Sequence, residues 1–228
     1  MYRRTLLVAS GPVLVGMGGV SRRALAEVQT EADDDRAASA SLEFAGDGVA
    51  VTDEFETESG PAVLEATHDG EGEFFVQAVS RDGGQTQSLL TQFGPFDGTT
   101  GTFIEEGTYA IYVDADGEWE LHLSQPDVDE DDAETPPISV TNSGPGWLGP
   151  ILFDDTTLVG GAHEGDGSFR VRVIPQDGDA SDYVWDGGEL VFHALGEFRG
   201  ATSVHVNGIG YIDVAVDSEQ VEWAIEIE

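Results

Sequence analysis

The sequence predicts an all-β protein made of two tandem antiparallel β-sandwich domains, jelly-roll-like in strand number. Three observations predict it. Apolar residues recur with a period of two, Asp-Gly and Gly-Gly turn signals separate these runs at short intervals, and one set of landmarks occurs twice in the same order. No window of ten or more residues carries a helical apolar stripe.

In chain order, residues 1–26 read as an address label. Arg3 and Arg4 precede a mildly apolar run over 6–20, which Gly11, Pro12, Gly16, Gly18 and Gly19 interrupt, and Ser21-Arg22-Arg23 and Ala24-Leu25-Ala26 follow. The run is too short and too rich in glycine for a membrane span, which needs about 20 apolar residues. Paired arginines, a weakly apolar middle and a small-x-small end resemble a twin-arginine (Tat) export signal. Such a leader implies an extracellular or envelope protein, a mature chain that begins at Glu27, and no transmembrane span once the signal is removed. An acidic polar segment, 27–41, comes next.

Repeat 1 is placed at 42–125 and repeat 2 at 138–228, with an acidic, proline-containing linker at 126–137. His68-Asp69-Gly70 is matched by His163-Glu164-Gly165 at an offset of 95, and Gly94-Pro95-Phe96 by Gly196-Glu197-Phe198 at 102. Tyr109 is matched with Tyr211 at 102, Trp119 with Trp223 at 104, and Gly46-x-Gly48 with Gly144-x-Gly146 at 98. A slowly drifting offset is the mark of duplication with small loop insertions. The linker's run of acids and its Pro136-Pro137 predict an extended, solvated connection between separately packed domains.

Within the repeats, Tyr109, Ile111 and Val113 alternate with Ala110, Tyr112 and Asp114. Trp119, Leu121 and Leu123 alternate with Glu118, Glu120 and His122, and Phe169, Val171 and Val173 alternate with Arg170 and Arg172. Each pattern predicts a strand with one buried face and one wet face.

Charge narrows the function classes. The chain has 45 acidic residues against 9 basic ones, all arginine. Four of the arginines lie in the leader, so its removal leaves 45 acids against five arginines, a net charge of about −40. Such a surface repels itself at ordinary ionic strength, whereas at about 1 M salt the screening length falls to about 3 Å. Abundant acids without lysine predict a halophilic protein. Because the acids are spread along the whole chain rather than collected in one face or tail, they count against a DNA-mimicking or cation-collecting protein, and their charge disfavours nucleic-acid or acidic-membrane partners. With no cysteine there is no disulfide, thiolate metal site or thiol nucleophile.

The landmarks Gly46-x-Gly48, Phe55, His68-Asp69-Gly70, Phe74-x-Val76, Gly94-Pro95-Phe96-x-Gly98, Gly107-Thr108-Tyr109 and Asp116-Gly117-x-Trp119-x-Leu121 carry a resemblance. Each repeat resembles the short β-sandwich domains found in tandem in exported archaeal and bacterial surface proteins, of haloarchaeal type. More loosely, it is similar to the C-terminal β-sandwich modules of secreted peptidases. Repeat 2 departs from the pattern at Ile209-Gly210-Tyr211 and Gln220-Val221-Glu222. The resemblance implies accessory modules, with no catalytic residues to transfer.

The remaining candidates each have two readings. His68 and His163 suit a metal ligand or general base, or an imidazole that caps a strand end and bonds the turn backbone; the second is favoured. The acidic turns Asp69-Gly70-Glu71-Gly72-Glu73 and Asp114-Ala115-Asp116-Gly117-Glu118 offer oxygens for Ca²⁺ but lack EF-hand spacing. Trp147, Tyr183 and Trp185 suit stacking on sugar rings or folding back over a sandwich end, while Trp119 and Trp223 belong to the core. There is no Gly-x-Ser-x-Gly elbow, no His-Glu-x-x-His and no phosphate-cradling loop. No catalytic, cofactor-binding or metal residue is assigned. The expected function is a non-enzymatic binding or cell-surface interaction module with an extracellular ligand or surface partner. The alternatives are a carbohydrate-binding or hydrolase-accessory protein, or a small enzyme with a loop-borne site.

Overall fold

The computed structural model describes residues 41–154, 156–178, 188–217 and 221–228. The leader, the acidic segment before Ser41, Tyr183, Trp185 and Gln220 lie outside the described residues.

The first sandwich comprises β1 (Ser41–Asp47), β2 (Ala50–Val51), β3 (Phe55–Thr57), β4 (Gly60–His68), β5 (Glu73–Ser80), β6 (Gln87–Phe93), β7 (Phe96–Ile104), β8 (Gly107–Asp114) and β9 (Glu118–Ser124). The second comprises β10 (Ile138–Ser143), β11 (Gly146–Phe153), β12 (Leu158–His163), β13 (Ser168–Pro175), β14 (Glu189–Leu195), β15 (Phe198–Ser203), β16 (Gly208–Val216) and β17 (Glu222–Ile227). One sheet of the first sandwich runs β1-β9-β4-β7 and the other β2-β8-β5-β6, with β3 also pairing β8. The second repeats this as β10-β17-β12-β15 and β11-β16-β13-β14. All pairings within the sheets are antiparallel, and the two interleaved orders are those of an eight-stranded jelly roll. Among the described residues no helix is long and apolar enough to cross a membrane.

Period-two patterning places the cores. Phe74, Val76, Ile111, Val113, Trp119 and Leu121 fill the first sandwich; Phe169, Val171, Ile212, Val214, Trp223 and Ile225 fill the second. Both cores are pinned by an indole. Trp119 Nε1 donates to the Gly48 carbonyl at 2.9 Å, and Trp223 Nε1 to the Gly144 carbonyl at 2.6 Å. Satisfying that N–H lets so large a side chain be buried without a stranded donor.

This geometry corrects two landmark matches. Gly48 corresponds to Gly144, so the glycine motifs are offset from each other. Gly46 and Gly146 instead give way to the two indoles from different strands, where an added Cβ would lie 2.4 Å from Trp119 and 2.6 Å from Trp223. Likewise Val76 pairs with Val113 and Val171 with Val214, which makes Tyr109 correspond to Gly210 rather than to Tyr211. Tyr109 points into its core and Tyr211 points out, because a slip of one residue reverses a strand's faces.

The linker is also not a free tether. Leu152 N–H donates to the Glu134 carbonyl at 2.8 Å and Glu134 N–H to the Pro150 carbonyl at 2.9 Å. Val128 exchanges hydrogen bonds with the Gln176 side chain at 3.0 and 2.8 Å. Backbone groups therefore hold the acidic run against the second sandwich despite its charge.

Candidate functional site

The two histidines do the same job at one end of each sandwich. His68 and His163 are buried, stack on Phe74 and Phe169 with ring centroids 4.5 and 5.0 Å apart, and use Nδ1 to reach the Gly94 and Gly196 carbonyls at 3.0 and 3.2 Å. A carbonyl only accepts, so Nδ1 carries the proton. The Nε2 environments differ. Asp116 Oδ1 is 3.4 Å from His68 Nε2, whereas beside His163 the corresponding space holds Val221. Each imidazole ties a strand end to a turn.

The acidic turns cap backbone donors. Both Asp116 oxygens accept from Gly72 N–H at 3.0 and 2.9 Å, and Asp69 Oδ1 accepts from Glu118 N–H at 2.8 Å. In the second sandwich Asp217 Oδ2 accepts from Ser168 N–H at 2.7 Å. Among the described residues no three His, Asp or Glu side chains are grouped to hold a metal ion.

The distinctive chemistry lies between the sandwiches. The sequence pattern makes the outer face of β13 and β16 wet, yet Arg172, Ile174, Tyr211 and Asp213 on it are buried. What covers them is the flank of the first sandwich, where β7 is an edge strand with unpaired backbone groups. Two charged side chains of the second sandwich satisfy that edge. Arg172 Nη2 donates to the Gly101 carbonyl at 2.8 Å, and Asp213 Oδ1 accepts from Gly101 N–H at 3.3 Å and from the Thr100 hydroxyl at 3.1 Å. The pair is closed on itself through Asp213 Oδ2, which takes Arg172 Nη2 at 2.6 Å and Nε at 3.1 Å. Both charges are thus compensated where water is excluded, the condition for burying them.

Trp147 completes the joint. It stacks on Tyr211 at 5.2 Å, and its ring lies so close to Gly101 that an added Cβ would come within 2.3 Å of it. Burial, and then the nearby Asp127 charge, push the Tyr211 phenol up to about 12. The phenol donates to Gln176 Oε1 at 3.2 Å. Trp147 is half-buried in this joint and is not an exposed sugar platform.

Beside the joint the sandwiches diverge and leave a cleft of about 650 Å³. Strands β6 and β7 form one wall, and β13, β14 and β16 the other. Its polar surface is mainly amide and hydroxyl: Gln87, Gln92, Thr102 and Ser168. Arg170 and His193 sit opposite each other in the ladder, and Ala215 flanks Arg170 on the other side. The exposed Phe93 ring lies at the rim. Of the four arginines among the described residues, two line this cleft, and among those residues Asp217 is the one carboxylate in its lining. The sequence offered one pointer to it, Arg170 and Arg172 on one face of one strand in a chain so poor in arginine.

No protein-family model matches the chain, and no curated protein matches it. Solved structures with a similar outline include the N-terminal CBM22-1-CBM22-2 tandem domain of Paenibacillus barcinonensis Xyn10C, at 10% identity, 89% of this chain, 90% of that one and a TM-score of 0.24. A cupin 2 conserved barrel domain protein from Leptotrichia buccalis follows at 14% identity, 90% of each chain and a TM-score of 0.24. A Paenibacillus xanthan lyase matches at 14% identity over 89% of this chain but 24% of its own, with a TM-score of 0.22. At these scores the likenesses carry no argument about ligand or chemistry. The strand order itself makes the chain a tandem jelly-roll β-sandwich protein.

Proposed function

We propose that this chain is an exported, salt-adapted binding module, without catalytic activity of its own, that takes a carbohydrate in the cleft between its two jelly rolls. The observation that carries the reading is the cleft itself. It is a polar groove lined by amides and hydroxyls, with an exposed aromatic ring at its rim, set between two sandwiches that a buried ion pair holds in fixed relation. Sugar hydroxyls need many donors and acceptors in fixed positions, and a sugar ring's apolar face suits an aromatic side chain. Export rests on the Arg3-Arg4 leader, and salt adaptation on 45 acids with no lysine.

The test is a glycan array probed with the folded full chain in about 3 M KCl, where surface repulsion is screened. Retention of one glycan class, lost on Gln92→Ala and Phe93→Ala, is the expected result. An array with no retained glycan, or retention indifferent to both substitutions, overturns the reading.

A further inference from the structure

We infer that the cleft takes an uncharged, unbranched polysaccharide and holds it lengthwise along β6, over several sugar units. The inference rests on the cleft being the glycan site and adds the ligand's charge, shape and direction.

Charge comes first. The chain carries 45 acids against 9 arginines, so its surface repels anions and gathers cations over most of its area. The cleft differs in being balanced. With histidine counted neutral, the charged side chains in its described lining are Arg170, Arg172 and Asp217. Arg172 is closed on the buried Asp213, and Arg170 and Asp217 contribute one charge of each sign. No net charge is left for an ionic ligand to answer. Gln87, Ser88, Thr91 and Gln92 meanwhile offer amide and hydroxyl groups along one strand. An uncharged ligand rich in hydroxyls is indifferent to the surrounding field and finds donors and acceptors to match its own.

Shape follows from β6. Gln87 to Phe93 all line the cleft, and β6 is the outermost strand of its sheet. Its 7 residues, at about 3.3 Å each, run about 20 Å. Several sugar units in line are needed to span that length, with the exposed Phe93 ring at one end and Gln87 at the other. Gly94 N–H donates to the Gly72 carbonyl at 2.7 Å. Alternation along the antiparallel pair then turns the backbone groups of Gln92 toward β5, and those of Thr91 and Phe93 away from it to the free edge.

A free edge also invites an extended peptide, but this one is interrupted. Val76 pairs with Leu90 and Gln77 with Ser88, which leaves Leu89 as an extra residue and breaks the ladder that an added strand needs. A polysaccharide has no ladder to keep in register and uses the edge groups singly.

The experiment is equilibrium binding to the folded full chain, at the lowest salt that keeps it folded, so that charge is screened as little as possible. The probes are xylan and cellulose oligomers from disaccharide to hexasaccharide. A galacturonate hexasaccharide, a glucosamine hexasaccharide and an uncharged Ser/Gln-rich peptide accompany them. The variants are Gln87→Ala and Phe93→Ala, at the two ends of β6. Melting curves establish that each folds, and the length series on the natural chain needs neither.

The expected result is a neutral series whose affinity rises about tenfold or more from disaccharide to hexasaccharide, as added units gain further hydrogen bonds. Each variant is expected to weaken the hexasaccharide about fivefold or more, the scale of one lost hydrogen bond or ring contact. Affinity that does not grow with length overturns the lengthwise path and leaves the glycan reading standing. So does a hexasaccharide weakened by only one variant or by neither. A charged oligomer that binds as tightly as the neutral ones, and is weakened by the same variants, overturns the charge assignment alone. The peptide behaving in that way overturns the sugar class. Binding of none of the probes overturns the glycan reading and this inference with it.

Discussion

Asp213→Ala is the sharpest probe of how the two sandwiches are held. The carboxylate is 1% exposed, so its loss is not repaired by solvent. It strands the Arg172 guanidinium, which then keeps only the Gly101 carbonyl among the partners described above, and it orphans Gly101 N–H and the Thr100 hydroxyl. Breaking one side of a buried ion pair costs about 3–5 kcal/mol, chiefly because an uncompensated charge remains. The loss falls on the joint, since both hydrophobic cores are complete without Asp213. Thermal unfolding by calorimetry is therefore expected to change from one transition to two, each sandwich melting by itself. Arg172→Met combined with Asp213→Leu removes both charges and is expected to cost less than Asp213→Ala alone, a coupling that a double-mutant cycle isolates. Because the pair is shielded from ions, the cost is expected to be nearly the same in about 1 M and about 3 M KCl. A cost below about 1 kcal/mol, the range of an exposed pair, would refute the reasoning. So would a cost that fades with salt.

Gly101→Ala drives a Cβ into Trp147 at 2.3 Å and is expected to cost about 1–3 kcal/mol and to separate the two melting transitions, as calorimetry would show. Tyr211, with its phenol pushed up from 10.0 to about 12, supports the folded state fully below about pH 10 and loses that contribution as pH rises toward 12. At about 1.4 kcal/mol per pH unit, about 2–3 kcal/mol is at stake. Comparing the alkaline stability slope of the natural chain with that of Tyr211→Phe measures it, and equal slopes count against the burial of this phenol. Melting in about 0.1 M and about 3 M KCl is expected to show strong stabilisation by salt. Millimolar Ca²⁺ at fixed salt is expected to leave the melting temperature unchanged, because Asp69 and Asp116 are engaged with backbone N–H groups; a rise would make the acidic turns cation sites.

The strands and their inward faces were legible because burial on one face imposes a period of two, which composition cannot hide. Phe169, Val171 and Val173 point inward as that period requires. The opposite face of the same strand was misread for the same reason. Period two reports which residues share a face, not what covers it. Arg170 and Arg172 look alike in sequence and both line the cleft, yet Arg172 also lies under an edge strand of the other sandwich, where it pairs with Asp213. The matches that slipped, Tyr109 with Tyr211 and the paired glycines, rest on residue identity without register. Register is fixed by the partner strand, which a sequence does not display.

The docking joins the two copies through different surfaces of each. The flank of one sandwich sits on the sheet face of the next, a head-to-tail contact that would propagate if each copy offered both surfaces. Neither free surface repeats the joint. On the outer face of the first sandwich, Gln77 and Tyr112 correspond to Arg172 and Asp213, so no buried ion pair is available to satisfy an incoming edge peptide. Tyr112 instead donates to Asp114 at 3.3 Å. On the flank of the second sandwich, Ser203 corresponds to Gly101, and its Cβ would occupy the space that Trp147 needs. Divergence at a few outward positions has thus made one interface and disabled its repetition. Divergence on the same two strands also placed Arg170 and Ala215 on the cleft wall, at the positions that Phe75 and Asp114 hold in the first sandwich.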